Sequence, residues 1–455
     1  MATAAQKRVN LAVSRVIPPV LLGLFVYASY AITKPLCIDY LIHPKPSYNR
    51  TPRVGAGAAI LVLYYLLLIP VLVTYARLLY HVVWKPGYLP LGAERVQEEA
   101  SKPSSKRHRR KRSMKKAGDA EKEARRQSDP EHGLDQNAGG KAFPLDPDGL
   151  ESFYTKDIFV CQEDGRPPYC SSCCQFKTDR AHHCREVDRC VRKMDHFCPW
   201  VGGVVSETSL KFFIQFVVYA SFFCILAFIV PVYYTAELRR DTGSVNPHWC
   251  VCIGLGGLFG LFTCGMTLSS LQLASMNLTT IENLNHRSAI WTLAIRVPEH
   301  LLERLWVSES PWAPPFRMVS YPPQPPSSPS SPPSSQTQTY AQPPEEPTPE
   351  RHVFAILHTL PGENPFDLGS TWKNLRQVMG NSVAEWLLPL KPSPFTDHSS
   401  LESAFALGPV VTRLKQEAGL AAAPPPPGED GALSSSSQSK HSHGRRGREA
   451  RKHRR

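Results

Sequence analysis

Four stretches of this 455-residue chain hold no Lys, Arg, Asp or Glu and are long enough to cross a bilayer: residues 16–33, 54–76, 212–236 and 249–275. A membrane-spanning helix takes about 20 mostly apolar residues, and uncharged runs of this length are rare in soluble cores. The first stretch is the shortest, with Pro18 and Pro19 near its start and Lys34 just past its end. No small-residue cleavage pattern follows it, so it reads as a span and not as a signal peptide.

Charge orients the spans. Lys7, Arg8 and Arg15 precede the first, and Arg77, Lys85 and Arg95 follow the second. By the positive-inside rule both termini and the long middle loop face the cytosol. Lys34, Lys45, Arg50 and Arg53 crowd the short first loop and blur that signal. Cysteine usage decides in the same direction. Seven of the twelve cysteines lie between Cys161 and Cys198, and such a cluster of reduced thiols needs a reducing compartment. The first and third loops are then lumenal or extracellular. Asn49-Arg50-Thr51 in the first loop is a glycosylation sequon close to the second span.

Residues 101–126 contain twelve Lys or Arg. A block of this kind cannot bury a core, so residues 92–149 are expected to form a disordered basic linker. Tethered to the membrane at both ends, it points away from nucleic acid and towards anionic lipids, at about 1 kcal/mol per basic residue near the surface. A merely solvated linker is the alternative. Past the fourth span, residues 314–349 are Pro/Ser-rich and read as extended linker. Order is expected to return in a short aromatic element near residues 364–390, packed on the membrane domain or lying in the interface. Residues 428–455 read as disordered.

Cys170-x2-Cys173, then His183 and Cys190, supply three thiolates and one imidazole. That is a complete tetrahedral set for one structural zinc ion, and binding would provide much of the folding energy of a segment with few core residues. A patch of reduced thiols is the bland alternative. Cys174, Cys161 and His182 are spare candidates, and spacing alone leaves His182 and His183 interchangeable. The expected fold class is an α-helical polytopic membrane protein, with four transmembrane helices and a cytosolic zinc-binding cysteine-rich domain between spans two and three. That domain is bounded at residues 158–211, between a cytosolic N-terminus at 1–15 and a cytosolic tail at 276–455.

Cys198 follows Asp195 and His196 and precedes Pro199-Trp200. A nearby imidazole lowers a thiol's pKa from about 8.5 and makes the thiolate available. Asp195 can fix the tautomer of His196, the third member of a nucleophile, base and orienter series. Neighbours in sequence need not touch, so the constellation demands a tight turn. A fifth metal ligand or a buried structural thiol remains open from spacing alone.

The region resembles the DHHC-type protein S-acyltransferases, a family of palmitoyltransferases, and the likeness spans most of the chain. Four spans with a cysteine-rich domain between the second and third match the family layout. Lys177-Thr178-Asp179-Arg180-Ala181-His182-His183-Cys184 is similar to its basic stretch ending in His-Cys. Thr279-Thr280-Ile281-Glu282 matches its Thr-Thr-x-Glu motif, and Lys85-Pro86-Gly87 looks like a degraded Asp-Pro-Gly. Residues 364–367 and 372–380 look like the aromatic C-terminal motif of fungal members. The resemblance implies that Cys198 takes a long-chain acyl group from acyl-CoA, the co-substrate, and passes it to cysteines of membrane-associated proteins. His196 would be the general base and Asp195 its orienter.

Departures from the family pattern are concentrated. Phe197 stands where the motif has a second His, and Val187 and Val204 stand where it has cysteines. With Cys184, these positions hold the family's second zinc. Losing three ligands together predicts one zinc, with Phe197, Val187 and Val204 packed as a small core. Gly202-Gly203, Ser206 and Ser209 are also unusual, and the set looks like one fungal branch with Phe or Tyr at the third motif position. Two other classes compete. A catalytically impaired scaffold would have no need of Cys198, and a membrane-bound zinc-domain ubiquitin ligase would want two cross-braced zinc sites.

Overall fold

The computed structural model describes residues 4–48, 50–101, 147–306, 316–322, 351–393 and 396–421. Four helices are long and apolar enough to cross a membrane: Ala5–Ile42, Val54–Trp84, Leu210–Thr242 and Pro247–Ser275. The chain is a multi-pass membrane protein. Each span outruns its uncharged stretch, the fourth by only two residues. The first does so most, because its helix runs through Pro18 and Pro19 and winds on as a π-helix over Ile32–Ile42. Lys34 does not end it, since its ammonium pairs with Asp39.

The basic residues that blur the charge rule are neutralised locally. Lys45 sits 3.1 Å from Asp39. Arg53 donates to Glu237 of the third span at 2.9 and 2.6 Å, and Arg50 pairs with the same carboxylate. Tyr40 donates to Glu237 at 2.6 Å, with both guanidinium groups near its ring. Asn49 of the sequon lies outside the described residues.

The third and fourth spans approach closely at Gly256, where a Cβ would stand 3.0 Å from the backbone nitrogen of Phe228. Together with the second span and Trp249, they enclose the main apolar core, which reaches down to Cys198, Val201 and Val205.

Between spans two and three the backbone forms β1 (Ile158–Val160) and then three two-stranded hairpins. These are β2 (Tyr169–Cys170) with β3 (Gln175–Phe176), β4 (His182–Cys184) with β5 (Arg189–Val191), and β6 (His196–Cys198) with β7 (Gly203–Val205). Past the fourth span come β8 (Thr292–Arg296), β9 (Arg317–Tyr321) and β10 (His352–His358). They join β1 in an antiparallel sheet of order β1-β8-β10-β9. One face packs Ile158, Leu293, Ile295 and Ala355 on Val411 and Leu414 of the Pro409–Glu417 helix. The other packs Phe159, Ala294, Phe354 and Ile356 around Phe153.

This sheet departs from the sequence reading. β9 lies inside the stretch read as Pro/Ser-rich linker, and β1 finds its partner more than 130 residues away in β8. At the other end, the helix Ala93–Ser101 lies within the span read as disordered. Arg95 holds it, reaching Glu98, Glu99 and Asp188. The remainder of the basic block, residues 102–126, lies outside the described residues.

Candidate functional site

The ligand atoms of Cys170, Cys173, His183 and Cys190 lie within 4.8 Å of one another and can hold a metal ion. Two hairpins bring them together. Cys170 sits in β2, and His183 and Cys190 face each other across β4 and β5. His183 Nδ1 stands 3.6 Å from Cys170 Sγ, 3.4 Å from Cys173 Sγ and 4.0 Å from Cys190 Sγ. Its Nε2 faces Asp188 at 3.6 Å, the outer partner that fixes a metal-bound imidazole. The segment after the second span closes over the site: Leu89 N–H donates to Cys190 at 2.9 Å and Gly92 N–H to Cys173 at 3.0 Å. Gly92 must be glycine, because a Cβ would sit 1.7 Å from the carbonyl oxygen of Cys174. His183 is therefore the member of the His182/His183 pair that joins the cluster. Cys174 is outside it, and Cys161 belongs to the apolar core around Phe159.

Cys184 takes no part in this cluster. It packs with Val191, Met194 and Val204, and Val187 and Phe197 lie against them. Burial pushes the Cys184 thiol up to about 12. The three apolar replacements thus share one small core, as their joint appearance in sequence implied.

His196 and Cys198 lie two residues apart on strand β6, so both side chains leave the same face. The tight turn expected there is replaced by this strand, whose partner β7 holds it flat: Asp195 N–H donates to the Val205 carbonyl at 2.9 Å. His196 Nδ1 lies 2.6 Å from Asp195 Oδ2. Asp195 also accepts from Thr280, from its N–H at 2.8 Å and its hydroxyl at 3.0 Å. Burial alone would lower the His196 pKa, but the bonds to Asp195 and Cys198 outweigh it and hold the imidazole up at about 10. The His196 ring also meets the edge of Phe213 at 5.1 Å.

Three further hydrogen bonds fix the level of Cys198, itself buried. Tyr75 of the second span donates to the Trp200 carbonyl at 2.9 Å, just past the cysteine. Ser206 and Thr208 donate to the Pro86 and Lys85 carbonyls at 3.0 and 2.7 Å, tying the end of that span to β7.

Thr280 owes its position to a short helix, Thr280–Leu284, closed by a capping box between Thr279 and Glu282. Glu282 is locked in turn by Arg180, at 2.7 and 2.6 Å, in a pair with almost no exposure. Burial would raise the Glu282 carboxyl, yet Arg180 keeps it below its usual range. Arg180 also donates to Asn277 and lies over the Phe366 and Phe405 rings, 4.8 and 5.4 Å from their centres. The sequence reading did not assign Thr280, Arg180 or Glu282 a site role. The family motifs at residues 177–184 and 279–282 and the Thr-x-x-Glu spacing of a capping box were the available signals.

A family model described as DHHC palmitoyltransferase matches residues 163–287. Palmitoyltransferase pfa5 of Aspergillus fumigatus is 63% identical over 425 residues, covering 92% of this chain and 92% of its own. Palmitoyltransferase pfa5 of Emericella nidulans is 54% identical over 433 residues, with 92% and 88% covered. The chain belongs to the DHHC palmitoyltransferase family. A more distant relative, palmitoyltransferase pfa3 of Emericella nidulans, is 33% identical over 175 residues, covering 37% of this chain and 34% of its own. The family match begins just past β1 and ends short of β8, so it takes in all three hairpins, both later spans and Thr280.

Proposed function

We propose that this DHHC-family enzyme is a protein S-palmitoyltransferase that carries the acyl group on Cys198. Support comes from the chain of contacts from Thr280 through Asp195 to His196, on the same strand face as Cys198. An imidazolium beside a thiol favours the thiolate. In the first half-reaction Cys198 Sγ attacks the carbonyl carbon of acyl-CoA. The bond from that carbon to the CoA sulfur breaks, and CoA leaves as a thiol with a proton from His196. In the second, a substrate thiol attacks the acyl-Cys198 and passes its proton to His196. Cys198 is freed, and one thioester has replaced another without energy input.

In this reading Cys170, Cys173, His183 and Cys190 hold one structural zinc. Zn–S bonds of about 2.3 Å and Zn–N bonds of about 2.1 Å in a tetrahedron put sulfur and nitrogen roughly 3.6 Å apart, and the separations around His183 Nδ1 bracket that value. The metal fixes the hairpins and takes no part in acyl transfer. The cysteine-rich domain faces the cytosol, where reduced ligands persist, and the substrates are membrane-associated proteins with cysteines on that side. Among the described residues there is one metal cluster, which does not suit a cross-braced ligase.

The deciding experiment uses purified full-length protein and a clickable palmitoyl-CoA analogue. Hydroxylamine-labile label on wild type that is absent from Cys198→Ser is the expected result. Folded, zinc-loaded wild type that takes no label would favour the impaired scaffold.

A further inference from the structure

Residues 383–391 form a short apolar segment that the reaction does not use. It begins with the helix Val383–Leu387 and continues through Leu388, Pro389 and Leu390 to Lys391. Val383, Leu387, Leu388 and Leu390 are 73, 54, 50 and 63% exposed. Four large apolar side chains open within eight residues make a patch that a water-facing loop would not sustain.

Five carbonyls of this segment are held by side chains of the spans. Gln215 of the third span donates to the Glu385 and Trp386 carbonyls at 3.1 and 2.9 Å, and Tyr219 to that of Leu387 at 2.8 Å. Arg77 of the second span donates to Pro389 at 3.0 Å and to Leu390 at 2.8 Å. The carbonyls of Ala384 and Leu388 accept from Leu388 and Leu390 N–H groups at 2.7 and 2.9 Å. Seven consecutive carbonyls therefore have protein donors. Carbonyls paired within the protein are what a backbone needs where water is scarce.

Depth follows from helix geometry. At about 1.5 Å per residue, Gln215 and Tyr219 lie roughly 7 and 14 Å inside the start of the third-span helix at Leu210. Arg77 lies roughly 10 Å inside the end of the second, at Trp84. These helices of 33 and 31 residues outrun a hydrocarbon core of about 30 Å by roughly 8 to 10 Å at each end. The gripped segment thus sits at the boundary between headgroups and acyl chains. Exposed Val83 and Trp84 of the second span continue the apolar surface on that side.

We propose that residues 383–391 are an interfacial wedge whose leucines enter the leaflet on the cysteine-rich side. Its partner is the phospholipid bilayer, engaged as an amphipathic element lying in the boundary plane. Exposed Lys391 at its end extends towards the headgroups. The wedge is continuous with the membrane surface of the spans, which commits it to lipid over a second copy or a soluble protein.

The test places benzoylphenylalanine at Leu388 or Leu390 in the full-length protein, reconstituted in phosphatidylcholine nanodiscs and irradiated. Leu258, two-thirds exposed on the fourth span, is the positive control, and Leu401, equally exposed on the tail beside β1, the negative one. Phospholipid adducts at 388 and 390 within threefold of Leu258, and at least tenfold above Leu401, are expected. Adducts at Leu258 without adducts at 388 and 390 would overturn the proposal, as would cross-links there to a second copy. Two separate positions keep the test decisive if one substitution prevents folding.

Discussion

Phe197 stands directly opposite Val204 in the ladder between β6 and β7, one residue before the Cys198–Gly203 pair. The apolar contact between two of the family-pattern departures is thus built into the strand pair that carries Cys198. Val187 and buried Cys184 complete the same cluster.

Rebuilding the missing ligands is the sharpest check of that substitution. The triple variant Val187→Cys, Phe197→His and Val204→Cys, with Cys184 already in place, is expected to raise zinc from one to two ions per chain. Elemental analysis of the purified protein reads this directly. A wild type that already carries two ions would contradict the single-zinc reading.

Asp195→Asn removes the carboxylate that holds the His196 imidazole up at about 10. A base whose folded pKa is raised contributes stability that is present below about 6.5 and lost as pH rises through about 10. Wild type should therefore lose stability across that window, and the variant should show a flatter profile. Acyl-enzyme formation should fall roughly 10²- to 10⁴-fold, measured as single-turnover labelling of Cys198.

Arg180→Ala leaves Glu282 buried without its partner, a loss of about 3–5 kcal/mol. The unfolding midpoint in detergent should drop sharply. Arg180→Lys should recover only part of it, because an ammonium cannot reproduce the forked contact to Glu282 and Asn277.

Asp179 runs the other way. Burial pushes its carboxyl up to about 6, although it accepts from Val160 N–H at 2.9 Å. The folded state then favours the neutral acid, so stability falls as pH rises from about 4 to about 6 and stays reduced above. Asp179→Asn keeps an acceptor without the charge. It should stabilise the protein by roughly 1 to 3 kcal/mol at neutral pH and flatten unfolding midpoints between pH 4 and 6.

The spans, the metal cluster and the Asp195, His196 and Cys198 set were legible because each is local: uncharged runs, short ligand spacings, a contiguous motif. What escaped was non-local. β1 and β8 are three and five residues long and pair across the two later spans, so neither carries enough period-two pattern to stand out. Thr280 reaches Asp195 from 85 positions away, and the Thr-Thr-x-Glu motif that marked it in sequence did not name that partner. The charges of the first loop blurred the orientation signal for a related reason. Their partners, Asp39 and Glu237, become visible only once the π-helical turn and the third span are in place.

The sheet that joins β1 to β8 and β10 also sets an order of events during synthesis. The strand that carries His196 and Cys198 leaves the ribosome before the last two spans exist, yet Thr280, which donates to Asp195, follows them. The strand beside β8 is completed only at His358. A nascent chain therefore carries the Cys198 thiol through two membrane insertions before Thr280 and the completed sheet arrive.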